Sequence, residues 1–114
     1  MKFVKCWGNG KPIREFLFVE DACEALIEIS QSYNDIKPLN VGIGKGYSIK
    51  KIAEIIKKII SYNGKIIWDK NMSNGAMKKV LNNKEMRKKI KWRAKTDIEK
   101  GISKTISWYI NSKI

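Results

Sequence analysis

Apolar residues recur at helical spacing in three stretches of the chain and cluster in three shorter runs, with turn residues between them. Ile13 to Val19 is a mostly apolar run after a Gly/Pro turn, which predicts a buried strand. Asp21-x-x-Glu24 then opens a helix of capping-box type, with Ala22, Ala25, Leu26 and Ile29 on one face as far as about Tyr33, and Asn34 to Pro38 breaks it. Leu39-Asn40-Val41-Gly42 predicts a second strand. Ser48 is a good N-cap for a helix whose stripe is Ile49, Ile52, Ala53, Ile56, Ile59 and Ile60, and Asn63-Gly64 stops it. Lys65 to Asp69 predicts a third strand and Lys70 to Lys78 a polar loop. Asn82-x-x-Glu85 starts a short helix that ends near Ile90. Thr96-x-x-Glu99 caps a last helix with Ile98, Ile102, Ile106 and Tyr109 along one stripe.

Short strands alternating with amphipathic helices predict a small mixed α/β unit, read as one domain over residues 1–114. A chain of this length should bury roughly 65% of its unfolded surface and hold a core without staples. Hydrophobic content of 43% argues against disorder. No apolar stretch approaches the ~20 residues that span a bilayer, and the run Met1 to Trp7 lacks the long apolar core of a signal peptide. The expectation is a cytoplasmic protein without membrane contact.

Charge changes the picture less than its size suggests. A net +13 invites a nucleic-acid partner. Nearly all the excess is lysine spread along the chain, however, and the only arginines are Arg14, Arg87 and Arg93, whereas bidentate reading of bases and phosphates favours arginine. Scattered solvated lysines account for the charge and argue against nucleic acid. Cys6 and Cys23 lie in no metal-ligand spacing and histidine is absent, which argues against structural zinc and removes the commonest general base.

Two motifs are decoys. Gly42-x-Gly44-x-Gly46 imitates a dinucleotide fingerprint, but the third glycine should come three positions after the second, where Tyr47 stands. Tyr33 and Lys37, Tyr47 and Lys51, and Tyr109 and Lys113 each satisfy Tyr-x-x-x-Lys. In so lysine-rich a chain such pairs are expected by composition, and all three are read as surface pairs.

Candidate chemistry concentrates in Trp7-Gly8-Asn9-Gly10-Lys11-Pro12-Ile13-Arg14-Glu15-Phe16-Leu17-Phe18-Val19-Glu20-Asp21. A glycine-rich turn followed by an arginine on a short apolar strand can make a phosphate site, because a guanidinium grips two oxygens with paired charge-assisted hydrogen bonds. The alternatives are a salt bridge from Arg14 to Glu15 or Glu20, and a core role for Trp7.

This run resembles the segment in which extended short-chain dehydrogenase/reductases, the NAD-dependent epimerase/dehydratase family, pass from their cofactor half to their nucleotide-sugar half. The GDP-L-fucose synthase branch has Trp-Gly-x-Gly-x-Pro-x-Arg-Glu-Phe-Leu-x-Val-x-Asp, which Trp7, Gly8, Gly10, Pro12, Arg14, Glu15, Phe16, Leu17, Val19 and Asp21 satisfy. The resemblance extends to Ile98, Gly101, Thr105, Trp108 and Tyr109, and in degraded form to Asn74-Gly75-Ala76-Met77-Lys78-Lys79-Val80-Leu81-Asn82, where both acids of the family pattern are amides and its proline is Met77.

The resemblance implies the nucleotide-sugar-binding C-terminal subdomain without the Rossmann half. Arg14 would pair with a diphosphate, Trp7 would wall the sugar, Lys79 would contact the phosphate side, and Asn74 would replace a carboxylate that touches the ligand. The implied ligand is a GDP-sugar. NADP(H) is implied for the full-length family, but no cofactor and no catalytic residue is assigned to this chain, which would be a fragment of the enzyme or one part of a split enzyme whose Rossmann half is a separate chain. The chain should be inactive alone. The residues leave two rivals open: a small basic module binding nucleic acid or another polyanion, and a decayed gene fragment.

Overall fold

The computed structural model describes residues 2–112, so Lys113, one member of the Tyr-x-x-x-Lys pairs, lies outside the described residues. Strand β1 (Phe3–Trp7) leads through the glycine turn to β2 (Ile13–Arg14) and helix α1 (Val19–Ser32). A loop then reaches β3 (Tyr47–Ser48), α2 (Ile49–Ile59) and β4 (Lys65–Asp69). Finally come β5 (Lys78–Lys79), α3 (Lys84–Lys89) and α4 (Ile98–Asn111). β1 pairs in parallel with β4, from Phe3 opposite Lys65 to Trp7 opposite Asp69. A second small sheet has the order β3-β2-β5, antiparallel on one side of β2 and parallel on the other. The expected mixed α/β unit is what the chain forms.

Helix α1 holds the later chain through carboxylates. Asp21 is fully buried and accepts from the backbone N–H (3.0 Å) and hydroxyl (3.1 Å) of Thr96. Glu28, two turns on and so on the same face, accepts from the N–H groups of Lys91 (2.8 Å) and Trp92 (3.0 Å). These bonds lay segment 91–96 along the helix. They close a core of Ala25, Met86, Ile90 and Trp92, with Leu17, Ile29, Leu39, Val41 and Ala94 packed around it.

Several expectations shift. The strand over 13–19 shortens to two residues. The helix begins at Val19, and Asp21 serves Thr96 instead of capping. The strand over 39–42 is not formed, although Leu39 and Val41 do pack against the core. β1, a five-residue stretch with a single lysine and mostly exposed side chains, is not among the expected strands. Ser48 caps α2 as expected, accepting from the Lys51 N–H at 3.1 Å, but the inward residue is Ile55, with Ile56 turned out. In α4 the N-cap is Asp97, not Thr96, and Leu26 of α1 and Tyr109 of α4 point outward.

Burial also falls short. The chain leaves 8732 Å² accessible, against about 6,400 Å² for a compact monomer of its mass, so about 54% of the unfolded surface is buried instead of 65%. Its radius of gyration is 16.9 Å, where about 13 Å is usual for this length. The cause is an open shape, 55 × 33 × 22 Å, that leaves Trp7, Leu26, Ile27, Trp108, Tyr109 and Ile110 more than half exposed. Among the described residues no helix is long and apolar enough to cross a membrane.

Candidate functional site

The glycine turn is built by its backbone. Gly8 (φ 82°) and Gly10 (φ 75°) lie in the left-handed region that other residues avoid. A Cβ on Gly8 would run into Asn74 Oδ1, and one on Gly10 would press on Trp68 and Lys50. Asn9 donates its N–H to Asn74 Oδ1 (2.8 Å), which ties the turn to the 70–77 loop. Gly10 and Pro12 accept from the N–H groups of Lys50 (2.9 Å) and Ile49 (3.0 Å). With the Lys51 N–H taken by Ser48, the first three amides of α2 are all satisfied internally. The N-terminus of that helix therefore has no donors to offer a phosphate.

Arg14 stands in the middle of the small sheet, half-buried. Nη1 donates to the carbonyl of Ile13 (2.9 Å), and Nη2 lies beside Gly75, 3.3 Å from where a Cβ would sit. Its pairing partners are Tyr47 on β3 and Lys79 on β5. Residues opposite one another in a sheet share a face, so one face presents Tyr47, Arg14 and Lys79 in a row. Among the described residues no ion pair joins Arg14 or Lys79 to a carboxylate.

The acids weighed as partners of Arg14 are engaged elsewhere. Glu20 meets Lys104 at 3.7 Å. Glu15 accepts from the N–H groups of Gly44 (2.9 Å) and Leu81 (2.7 Å), pinning the two loops that flank β2. The core alternative for Trp7 fails as well, since that residue is 69% exposed at the end of β1. The turn, the 74–75 loop and Arg14 thus form one continuous surface through Asn9–Asn74 and Gly75–Arg14, with Lys79 beside it. Asn74 Oδ1 accepts from the turn, and its Nδ2 makes no hydrogen bond among the described residues.

The Gly42-Gly44-Gly46 loop does not fit a dinucleotide. A Cβ on Gly42 would meet the Glu15 carboxylate, one on Gly44 the Asn83 amide, and one on Gly46 Ile13 and Val80. The close approaches these glycines permit are already filled by the chain's own side chains. A cavity of about 1130 Å³ lies beyond β3, lined by Phe16, Leu17, Tyr47, Ile52, Ile102 and Ile106 among others. Tyr47 is the member of the Tyr47–Arg14–Lys79 row that lines it. Sequence spacing had set Tyr47 aside as a surface residue, because a pairing across 33 residues leaves no local signal.

The family model described as NAD dependent epimerase/dehydratase family matches residues 2–44. The chain is 32% identical over 111 residues to the probable GDP-L-fucose synthase 1 of Oryza sativa subsp. japonica, covering 97% of this chain and 34% of that protein. It is also 32% identical to the GDP-L-colitose synthase of Yersinia pseudotuberculosis, over 96% of this chain and 36% of that protein. A GDP-L-fucose synthetase from Naegleria fowleri bound to NADP superposes with a TM-score of 0.87 at 27% identity, over 95% of this chain and 34% of that one. The fold and its relatives define a part-length unit of the extended short-chain dehydrogenase/reductase class. More particularly, residues 2–44 match the NAD dependent epimerase/dehydratase family model, and nearly the whole chain is similar to about a third of GDP-L-fucose synthases. It spans about a third of the length of the curated relatives it matches.

Proposed function

We propose that residues 1–114 form a nucleotide-sugar-binding unit of a GDP-sugar epimerase/reductase, holding the diphosphate and one side of the sugar. The observation that carries this reading is the pairing of Arg14 with Lys79 beside the Trp7–Gly10 turn, two cations on one sheet face with no acid between them. A pyrophosphate placed there takes a bidentate grip from the guanidinium and a point charge from the ammonium. Trp7 supplies an apolar wall with an N–H donor, and Asn74 an amide. None of these groups moves a proton or a hydride, so the unit binds and orients, and the chemistry belongs to a half that carries NADP. The open apolar surface, with Trp7, Leu26, Ile27 and Trp108 more than half exposed, supports the docking of such a half, whether it belongs to the same polypeptide or to a separate chain. Cys6 and Cys23, both free thiols, suit a cytoplasmic setting.

Calorimetric titration of the chain with GDP and with UDP, repeated on Arg14→Ala, tests the reading. GDP should bind better than UDP. The substitution should weaken GDP binding roughly 10- to 100-fold, since a charge-assisted hydrogen bond contributes about 1.5–3 kcal/mol. Equal indifference to both nucleotides would overturn the reading. A steep loss of polyanion binding with salt, with no nucleotide preference, would favour the basic-module alternative instead.

A further inference from the structure

We propose that Asn74 is a self-modifying position, at which the Gly75 backbone nitrogen displaces the side-chain amide and leaves a carboxylate beside Arg14. The chemistry stands on the geometry of the loop alone, and its effect on the site rests on the phosphate-binding reading above.

The reaction needs only the chain and water. The Gly75 N–H gives its proton to hydroxide, the nitrogen attacks Asn74 Cγ, and the Cγ–Nδ2 bond breaks as ammonia leaves with a proton from water. An asparagine side chain has the length that closes a five-membered imide ring in this way. Water then opens the ring at either carbonyl, giving aspartate or a residue linked to Gly75 through its side chain. Nothing is oxidised or reduced.

Asparagine precedes glycine at positions 9, 63 and 74, and the structure separates the three. Gly10 is buried against Trp68 and holds the Lys50 N–H at its carbonyl (2.9 Å). Gly64 is buried against Tyr62 and the Lys2 carbonyl. Gly75 is exposed, in a stretch over 73–76 that forms neither helix nor strand. Ring closure swings the backbone about the asparagine, which a free loop allows and a packed glycine resists. The Gly75 N–H has one exposed bond to give up, to Ser73 Oγ at 3.1 Å.

The neighbours favour attack at this asparagine. Its Oδ1 accepts from the Asn9 N–H at 2.8 Å, a donor already in place at the oxygen that gains negative charge when Cγ is attacked. Arg14 Nη2 lies 3.3 Å from where a Gly75 Cβ would sit, so a cation stands beside the residue whose nitrogen must lose its proton. The product carboxylate sits by the same guanidinium. It lowers by one the positive charge that Arg14 and Lys79 offer to an anion, and opening through the side chain also lengthens the backbone at the tie to Asn9.

The experiment holds the intact chain in mildly alkaline buffer and reads amide-to-acid conversion at each asparagine by peptide mass spectrometry. In the folded chain Asn74 should convert about 10-fold faster or more than Asn9 and Asn63, whose buried glycines must first open. In urea the three rates should converge, and Arg14→Ala should slow Asn74 alone. Equal rates in the folded chain, or earlier conversion of Asn9 or Asn63, would overturn the proposal. So would an Asn74 that stays intact in the folded chain while the unfolded chain converts. Calorimetry with inorganic pyrophosphate then compares fresh and converted chain, and the converted form should bind about 10-fold more weakly or worse. Selective conversion with unchanged pyrophosphate affinity would overturn the link to the phosphate site. A fresh chain that binds no pyrophosphate would overturn the phosphate-binding reading and leave the modification standing.

Discussion

Arg14 and Lys79 face each other across the parallel β2–β5 pairing although 65 positions separate them in the chain. Like charges directly opposite in a sheet repel, and a bound dianion reverses the sign of that interaction. Inorganic pyrophosphate should therefore raise the melting temperature, with a stabilisation of about 2.7 kcal/mol when its concentration is 100-fold above its Kd. Lys79→Gln should melt at the same temperature as the wild type or slightly higher without the ligand, and gain less from it. Thermal melts at fixed low salt check this, and an undiminished response in Lys79→Gln would contradict it.

Asp21 and Thr96 make the next prediction. Truncating the buried carboxylate leaves the Thr96 N–H and hydroxyl without their acceptor, so Asp21→Ala should cost about 1–3 kcal/mol. Asp21→Asn, which keeps one oxygen, should cost less. Urea denaturation measures both, and an Ala variant as stable as the wild type would show that the Asp21 bonds add nothing to the hold of Glu28 and the core on segment 91–96.

The Asp21 bonds also mark what a sequence can show. Helices α2 and α4 are legible, because a 3.6-residue stripe and a capping side chain are local signals. The partner of a carboxylate is not local. Asp21 looks like an N-cap from its neighbours, and its real acceptor role spans 75 residues. Strand pairing is hidden for the same reason. β1 stays mostly exposed and is defined only by its pairing with β4, Leu39 to Gly42 has strand composition without a strand to pair with, and Arg14 meets Lys79 only once the register is set. The Trp-Gly-to-Arg14 turn was readable because its glycines and proline act on the backbone itself. The relation of Asn74 to that turn, an oxygen given to Asn9 and a close approach to Gly8, was not.

Acid should weaken the β1–β4 pair. Lys5 at 3.1 Å, the strongest influence, and the Asn71 N–H hold the Asp69 carboxyl below its ordinary value, against a smaller opposing effect of desolvation. A carboxyl lowered in the folded state adds stability above the ordinary carboxylate pKa of about 3.9, and that contribution disappears as the pH falls through the folded value. Asp69→Asn should thus be less stable than the wild type at pH 7, with the gap closing below about pH 4. Melting curves across pH 3 to 7 read this directly, and a gap that widens in acid would refute it.

Tryptophan emission separates the two ends of the molecule. Trp7 is 69% and Trp108 60% exposed, whereas Trp92 is 7% exposed. Acrylamide should quench two populations, and Trp7→Phe should remove part of the accessible one. If Trp7 borders the ligand, GDP-sugar should protect the wild type from acrylamide and leave Trp7→Phe unaffected. Protection of the same size in both would move the sugar away from the turn.

Glu15 anchors both flanking loops through main-chain amides, those of Gly44 and Leu81. An amide N–H is common to every residue except proline, so the anchor is indifferent to the side chain at Leu81. That stretch can therefore take substitutions at Leu81 while its attachment beside Arg14 persists. Mutational tolerance in the loop would then coexist with intolerance at a single glutamate whose two oxygens are both spent on main-chain amides.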